Sequence, residues 1–184
     1  MNENEPNSFT LTPFVLQLAG LEGVGKTTLA RTLECHFQGI VNINKDFYLW
    51  SMMCQGISKE VAGPNAYDLM FIVAAESLTN NRGVIIDSPV FSLRTLENGQ
   101  ALAKRAGVPY FFVELCLTDS AERSKRLSDP SRLPCQARTL DECKIGAQTI
   151  RPSDSPVITV DASASVAECT ALIVATLQDN LAEG

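Results

Sequence analysis

The stretch Gly20-Leu-Glu-Gly-Val-Gly-Lys-Thr27 matches the pattern G-x-x-x-x-G-K-[ST] at every fixed position. An apolar run at 14–19 precedes it and a segment with helical spacing begins at Lys26, which is the strand–loop–helix context that the pattern requires. The glycines of such a loop let successive backbone N–H groups point inward at phosphate oxygens, and the start of the helix adds partial positive charge. The sequence therefore predicts a loop that binds a chain of phosphates.

Two residues of this loop have side chains with a distinct expected role. Lys26 is placed to reach the β- and γ-phosphates of ATP, and the Thr27 hydroxyl to complete the ligand shell of Mg²⁺. ATP and Mg²⁺ are therefore the expected cofactors, and a glycine-rich turn that binds no ligand is the alternative. The residues predicted to bind the nucleotide are Gly20, Glu22, Gly23, Val24, Gly25, Lys26, Thr27, Thr28 and, further along the chain, Arg123.

Segments typical of strands and of helices alternate along the rest of the chain. Apolar runs predict strands at residues 14–19, 40–44, 83–87, 110–117 and 156–161. Helical spacing predicts helices at 26–36, 65–79, 93–105, 119–126, 140–150 and 165–181, with an irregular segment at 46–63. This alternation indicates one α/β domain, with a parallel sheet and helices on both faces. We expect the domain at 13–184, after a disordered or frayed lead-in at 1–12.

The composition narrows the range of functions. The 184 residues are 45% hydrophobic and 20% charged, which suits one ordinary globular domain. A net charge of −6 argues against a protein whose main function is to bind nucleic acid. The chain has a single histidine, His36, which excludes a zinc site with three histidine ligands. No apolar run approaches the length of about 18 residues that a membrane span needs. The six cysteines include no C-x-x-C pair and are expected to be the reduced thiols of a cytoplasmic protein.

Two aspartates follow predicted strands, at the edge where open parallel sheets bind their ligands. Asp46 follows the second strand, and its carboxylate is expected to face the γ-phosphate and accept the proton of an acceptor hydroxyl. A helix cap or a turn is the alternative for this residue. Asp87 ends the third strand and is expected either to hold Mg²⁺ through a water or to begin the turn before Pro89. Its neighbour Ser88 is a weaker candidate for the same region.

Seven of the 15 basic residues fall between residues 123 and 151. In an acidic chain this concentration predicts a lid whose arginines lie over the phosphates, stabilise the transferring charge and exclude water. Arg126 and Arg132 are the favoured arginines, followed by Arg123, and a solvated helix face with ion pairs is the alternative. After the second strand come aromatic side chains that either line an acceptor pocket or form core beneath a loop: Phe47, Tyr48 and Trp50.

The spacing of other motifs excludes a GTPase. Asn44-Lys45-Asp46 is one residue shorter than the guanine-binding pattern N-K-x-D, and it follows an early strand of the domain instead of a late one. Asp87 is followed by Ser-Pro-Val and therefore does not open a D-x-x-G switch. The sequence therefore does not predict a GTPase.

In their order along the chain, these motifs resemble those of the small P-loop kinases. The matching elements are the loop at 20–28, Asp46, the run GVIIDSP at 83–89, the helix that ends at Gly107, the arginine helix at 122–126 and the run at 158–163. The chain is most similar to the AAA-domain kinases related to gluconate kinase, chloramphenicol phosphotransferase, polynucleotide kinases and zeta-type toxins. The resemblance implies a three-layer P-loop NTPase fold, with a five-stranded parallel sheet in the order 2-3-1-4-5 and an arginine-bearing lid.

The activity that this resemblance implies is transfer of the γ-phosphoryl group of ATP to a hydroxyl of a small molecule, such as a metabolite, nucleoside or antibiotic. Asp46 would be the base, and Lys26, Arg126 and Arg132 would complete the catalytic set. A nucleotide or polynucleotide kinase and a non-catalytic ATP-binding regulatory module are the alternatives. The loop is also similar to that of thymidylate kinases, which carry Asp-Arg where this chain has Asp87-Ser88. The expected partner is a small-molecule acceptor, without nucleic acid or membrane, and a homodimer is left open.

Overall fold

Five strands of the chain form one parallel sheet. The computed structural model describes residues 9–10, 12–144 and 146–182. Its strands are β1 (Phe9–Thr10), β2 (Val15–Ala19), β3 (Phe37–Gln38), β4 (Ile40–Asn44), β5 (Gly83–Asp87), β6 (Tyr110–Cys116) and β7 (Val157–Asp161). The order across the sheet is β4-β5-β2-β6-β7, so the five long strands, counted along the chain, lie in the order 2-3-1-4-5. The expected strand order is confirmed.

The described residues form six helices around this sheet. They are α1 (Lys26–His36), α2 (Lys45–Cys54), α3 (Lys59–Thr79), α4 (Leu93–Ala106), α5 (Ser120–Leu127) and α6 (Val166–Ala182). Leu16 packs with Leu33 of α1 and Ile173 of α6, whereas its neighbour Val15 packs with Met70 of α3. Successive side chains of a strand point to opposite faces, so these contacts show that helices cover both faces of the sheet. The predicted three-layer α/β architecture is therefore confirmed.

The predicted lead-in at residues 1–12 falls mostly on positions outside the described part of the chain, namely 1–8 and 11. Within it, β1 pairs in parallel with β3, with Phe9 opposite Phe37 and Thr10 opposite Gln38. Sequence analysis assigned no strand to either segment. The start of the domain at residue 13 stays a prediction.

The expectation of an irregular segment at 46–63 is wrong, because α2 and the start of α3 occupy it. The buried residues of α3 recur at every fourth position across the supposed break at Gly63-Pro64: Ala62, Ala66, Met70, Ala74 and Leu78. This stripe packs on the sheet and on α2, and tertiary packing overrides the local cost of a proline. The Asn65 side chain donates to the Val61 carbonyl at 2.8 Å, within the turn that contains Pro64.

The helix expected at 140–150 is also absent, since the described residues between α5 and β7 form neither helix nor strand. Gly146 has a left-handed φ of 66°, which is incompatible with a continuous helix there. Turn hydrogen bonds, such as Cys143 N to Leu140 O at 3.2 Å, hold the segment instead. We call residues 128–150 the lid segment.

The parallel sheet brings the predicted site residues to one edge. The phosphate-binding loop follows β2, Asn44 ends β4 and Asp87 ends β5, so all three lie at the carboxyl ends of neighbouring strands. Across the described ranges, no helix combines the length and the apolar character needed to cross a membrane.

A buried polar network joins the sheet to α4. Gln17 of β2 has no exposed surface; its Oε1 accepts from the Tyr110 hydroxyl at 2.6 Å and its Nε2 donates to the Thr95 carbonyl at 3.1 Å. Helix α4 approaches this amide at Gly99, where an added Cβ would lie 2.8 Å from Gln17 Cδ and closer still to its oxygen. The network therefore depends on a glycine at this position.

We expect Gly99→Ala to lower the free energy of unfolding by about 1–3 kcal/mol, because the new methyl group overpacks against Gln17. Urea denaturation followed by circular dichroism measures this change. Gly63→Ala is the matched control, since Gly63 is also helical but an added Cβ meets nothing within 4 Å. In the control variant the gain in helix propensity is opposed by the Pro64 ring, which disfavours a helical residue with a Cβ before it, so stability should change by less than about 1 kcal/mol. Equal effects of the two substitutions would contradict the packing argument.

Candidate active site

The phosphate-binding loop has a backbone that glycine permits and other residues do not. Gly20, Gly23 and Gly25 have φ values of 127°, 83° and 106°, in the left-handed region. A Cβ at Gly20 would lie 2.5 Å from the Leu115 carbonyl oxygen, and one at Gly23 would lie 2.8 Å from Leu127 Cγ. The loop therefore sits closely between β6 and α5, and the residues present fit a phosphate cradle.

Helix α1 begins directly at the loop, with Gly25 as its N-cap. Glycine has no side chain to pair with the first N–H groups, and the first turn carries no acidic residue, so the positive end of the helix dipole is available to an anion. Lys26 is 8% exposed, and its Nζ donates to the carbonyls of Gly20 at 3.0 Å and Leu21 at 2.8 Å. Burial lowers the pKa of Lys26, although nearby carboxylates, Asp87 first, oppose this effect. The lysine is thus held against the loop by groups that a phosphate chain can replace.

Asn44 connects the two carboxyl ends of β4 and β5. It lies opposite Asp87 in the strand register, and its Nδ2 donates to Asp87 Oδ2 at 2.5 Å and to Thr27 Oγ1 at 3.2 Å. Asp87 is 3% exposed; burial raises its pKa, while the hydrogen bond with Thr27 and the charge of Lys26 oppose the rise. A hydroxyl beside a carboxylate is the kind of oxygen donor set that Mg²⁺ prefers, so Thr27 and Asp87 fit the predicted metal site.

Asp46 lies in the first turn of α2. The cap of this helix is Asn44, whose Oδ1 accepts from Asp46 N at 2.7 Å, so the Asp46 carboxylate is not used as a cap. Asp46 Oδ1 forms an ion pair with Lys45 Nζ at 2.7 Å, and Oδ2 accepts from Gln136 Nε2 at 2.7 Å. Burial alone would raise the pKa of Asp46, but the charge of Lys45 and the hydrogen bonds from Lys45 and Gln136 together lower it. The carboxylate is therefore ionised at neutral pH, as a base must be.

Two adjoining cavities bring the predicted residues together. The first, of about 100 Å³, is lined by carboxylate residues and by the phosphate-binding loop: Glu22, Gly23, Gly25, Lys26, Thr27, Thr28, Asp46, Asp87, Ser88, Pro89, Arg132 and Gln136. We call it the carboxylate cavity. The second, of about 210 Å³, shares the loop, Arg132 and Gln136 with the first and adds Arg31, Asn44, Phe47 and Arg126. Asp46 and the phosphate-binding loop thus line one cavity.

The predicted arginines divide between the cavities and the scaffold. Arg126 donates to the Val24 carbonyl at 3.1 Å and lines the second cavity, while Arg132 lines both. Arg123 lines neither of these two cavities; its Nε donates to the Glu22 carbonyl at 2.8 Å and so supports the loop from outside. Elsewhere in the basic stretch, Arg138 donates to backbone carbonyls of the lid segment, and Arg151 pairs with Glu114. Part of the basic stretch is therefore structural.

A third cavity, of about 270 Å³, is mostly apolar and lies on the other side of the loop. Its walls come from α1, β6 and the start of α6, and include Val24, Leu29, Leu115, Ala162, Val166 and Cys169. Arg126 borders this cavity as well as the second one. The predicted nucleotide-binding residue Val24 is 2% exposed and belongs to this wall.

The aromatic residues after β4 have both of the roles that sequence analysis left open. Phe47 is 47% exposed and lines the second cavity. The others, Tyr48 and Trp50, pack against a buried cluster formed by α2, α3 and the lid segment, which includes Leu49 and Cys135. Only Phe47 of the three is therefore placed to meet a ligand in that cavity.

Two amides that organise the site, Asn44 and Gln136, were not predicted from the sequence. A polar residue at the end of β4 was a usable signal for Asn44, because parallel strand ends converge on the ligand edge. Gln136 lies 90 residues from the carboxylate it contacts. No local pattern marks it.

The family of this chain is shown by a match over most of its length. The family model described as an AAA domain matches residues 15–149. The chain belongs to the AAA domain family. A search of the curated proteins finds no match.

Solved structures with this fold include kinases of several kinds. A candidate kinase from Chloroflexus aurantiacus is 20% identical, with 93% of this chain and 99% of that chain covered and a TM-score of 0.68. The APS kinase of Mycobacterium tuberculosis in complex with AMPPNP and APS is 17% identical, covering 91% and 99%, with a TM-score of 0.65. A gluconokinase from Sinorhizobium meliloti 1021 is 16% identical, covering 94% and 96%, with a TM-score of 0.60. The predicted AAA domain is thus confirmed as the family, and the predicted resemblance to the P-loop kinases is confirmed in the fold.

We expect Gln136→Ala to raise the pKa of Asp46, because the substitution removes a hydrogen bond that favours the ionised carboxylate. Carbon-13 NMR titration of the aspartate carboxyl groups measures this pKa directly. Gln100→Ala is the control, since Gln100 also donates to an aspartate, Asp154, but at an exposed position away from the site. An unchanged Asp46 titration in Gln136→Ala would contradict the role of the amide.

Proposed function

We propose that this chain is an ATP-dependent kinase that transfers the γ-phosphoryl group to a hydroxyl of a small molecule. The observation that carries the proposal is the position of Asp46, an aspartate with a lowered pKa that lines the same cavity as Lys26, Thr27 and Asp87. A module that only binds a nucleotide needs the loop but has no use for an ionised base facing it. The presence of Asp46 beside the phosphate-binding loop therefore favours a catalyst over a regulatory module that only binds ATP.

The loop and the apolar cavity together fit ATP. The phosphates of ATP would bind to the N–H groups between Gly20 and Thr28. The adenine ring would enter the apolar cavity beside Arg126, whose planar guanidinium can stack on it. A solved structure of the same fold, the APS kinase, contains AMPPNP, which supports a nucleotide at this loop. When bound, ATP would supply the phosphoryl group, and Mg²⁺ held by Thr27 and Asp87 would offset charge on its oxygens.

Asp46 would act on the acceptor. Its carboxylate would accept the proton of the acceptor hydroxyl while that oxygen bonds to the γ-phosphorus and the bond from this phosphorus to the departing ADP oxygen breaks, a contribution of about 10²–10⁴ in rate. Lys45 keeps the carboxylate ionised beforehand, since its Nζ lies 2.7 Å away. The cationic side chains that would stabilise the negative charge on the transferring phosphoryl group are Lys26, Arg126 and Arg132. Cations fixed in place stabilise such charge most effectively.

The size of the site supports a small acceptor. The carboxylate cavity measures about 100 Å³ and the adjoining one about 210 Å³, which suits a compact molecule better than a macromolecule. The chain is also acidic, with a net charge of −6, which opposes a polyanion. Gluconokinase and APS kinase of the same fold carry names that refer to small molecules, and this supports a small-molecule acceptor here.

We expect Lys26→Ala to weaken ATP binding by about tenfold or more, because it removes a buried cation from the phosphate site. Isothermal titration calorimetry with Mg²⁺-AMPPNP measures the affinity. Lys104→Ala, an exposed lysine of α4, is the control and should bind as the unaltered chain does. Equal affinity in Lys26→Ala would exclude the loop as the nucleotide site.

We expect Asp46→Asn to retain AMPPNP affinity and to lower phosphoryl transfer by about 10²–10⁴. An ADP-release screen with pooled metabolites, nucleosides and antibiotics identifies the acceptor class first, and the variant is then assayed with the active pool. Transfer at the normal rate in Asp46→Asn would contradict the assignment of the base. Absence of ADP release with every pool, in a chain that still binds AMPPNP, would contradict the kinase and favour an ATP-binding regulatory module.

A further inference from the structure

Ser88 is a buried hydroxyl that the mechanism above does not use. It follows Asp87 directly, is 1% exposed and lines the carboxylate cavity. None of the described residues pairs with its Oγ. Buried hydroxyls almost always have a partner, because an unpaired one loses its hydrogen bonds with water. The wall of the cavity therefore contains a hydroxyl whose hydrogen-bonding capacity is unused.

Glu22 presents a second such group to the same cavity. Its Oε2 is buried, and within the described ranges no donor reaches this oxygen. The other two carboxylates of the cavity are already engaged, Asp46 by Lys45 and Gln136 and Asp87 by Asn44. Glu22 Oε2 is thus a buried carboxylate oxygen of this cavity that lacks a donor and has no role in the proposed transfer.

The cavity lining places Glu22 and Ser88 with the predicted base. Glu22, Asp46 and Ser88 all line the carboxylate cavity. The turn that carries Ser88 is held by Tyr67 of α3, whose hydroxyl donates to the Pro89 carbonyl at 3.3 Å. Glu22 and Ser88 therefore border the same space as Asp46.

The hydrogen-bonding capacity of these groups selects the ligand. An ionised carboxylate only accepts, so Glu22 requires a donor, whereas a serine hydroxyl both donates and accepts. An anionic group beside Glu22 would be repelled by its carboxylate, and Asp46 and Asp87 of the same cavity add to this repulsion. A neutral hydroxyl donates to Glu22 without this repulsion.

We propose that Glu22 and Ser88 bind a second hydroxyl of the acceptor, next to the one that Asp46 deprotonates, so that the acceptor is a neutral polyhydroxylated compound of the sugar, sugar-alcohol or nucleoside type. This inference rests on the proposed kinase function, since Asp46 defines the reacting hydroxyl. Glu22 and Ser88 are specificity-determining residues that contact the acceptor and take no part in proton transfer.

The test uses matched acceptors and two variants. ADP release is measured with neutral sugars, sugar alcohols and nucleosides, each beside its deoxy analogue and its phosphorylated or carboxylate analogue. The unaltered chain should prefer the neutral compound over both analogues by about tenfold or more in kcat/KM. Comparable use of the anionic analogue would overturn the inference while leaving the kinase proposal standing.

Glu22→Gln should raise the KM for the neutral acceptor by about tenfold and relax the rejection of the anionic analogue. Ser88→Ala should raise the KM for the acceptor but keep the rejection of anions, because the charge at Glu22 remains. The controls, Glu97→Gln and Ser128→Ala, alter exposed residues outside the cavities and should leave all constants unchanged. An unchanged acceptor KM and unchanged selectivity in both site variants would refute the assignment.

A binding experiment separates this inference from the kinase proposal. Saturation-transfer NMR detects binding of ribose, ribitol and adenosine to the chain loaded with Mg²⁺-AMPPNP. Binding of such a compound that is lost in Glu22→Gln, but not in Glu97→Gln, supports the acceptor site even where no ADP is released. Absence of binding by every neutral polyol overturns it, whatever the outcome of the ADP-release screen.

Discussion

The side-chain amide of Asn44 connects the parts of the site that must act together. Its oxygen caps α2 and so orients the turn that carries Asp46, while its nitrogen donates to Asp87 and to Thr27. One planar group thereby links the end of β4, the end of β5 and the start of α1. The relative placement of predicted base, predicted metal ligands and phosphate loop depends on this contact.

The site also depends on the charged side chains that oppose one another in the carboxylate cavity. Lys26 and Asp87 are both buried, and burial disfavours the charged form of each, but each partly stabilises the other. Asp46 differs because Lys45 and Gln136 approach it directly and overcome the cost of its burial. The three carboxylates of the cavity are therefore distinct. Glu22 Oε2 has no donor among the described residues, Lys45 and Gln136 favour the ionised form of Asp46, and Asp87 lies beside the Thr27 hydroxyl.

Much of the fold was predictable because it depends on short-range pattern. The apolar runs of β2 and β5 required burial on both faces, and the loop of Gly20, Gly23 and Gly25 required a strand before it and a helix after it. Prediction failed at Gly63-Pro64 and at 140–150. In the first case packing of a small-residue stripe carried a helix through a local breaker, and in the second a left-handed Gly146 interrupted helical spacing.

The sequence alone predicted the phosphate-binding loop and the alternation of strands and helices. These features depend on residues that are close together in the sequence. The hydrogen-bond partners of Asp46 could not be predicted from the sequence. One of them, Gln136, is 90 residues away and belongs to the lid segment, whose described residues form no helix or strand. The same holds for Glu22 and Ser88, which share a cavity only because the loop after β2 and the turn after β5 meet at one sheet edge. Hydrogen-bond partners at such separations are chosen by the packing of whole elements, and no local pattern of residue types encodes that packing.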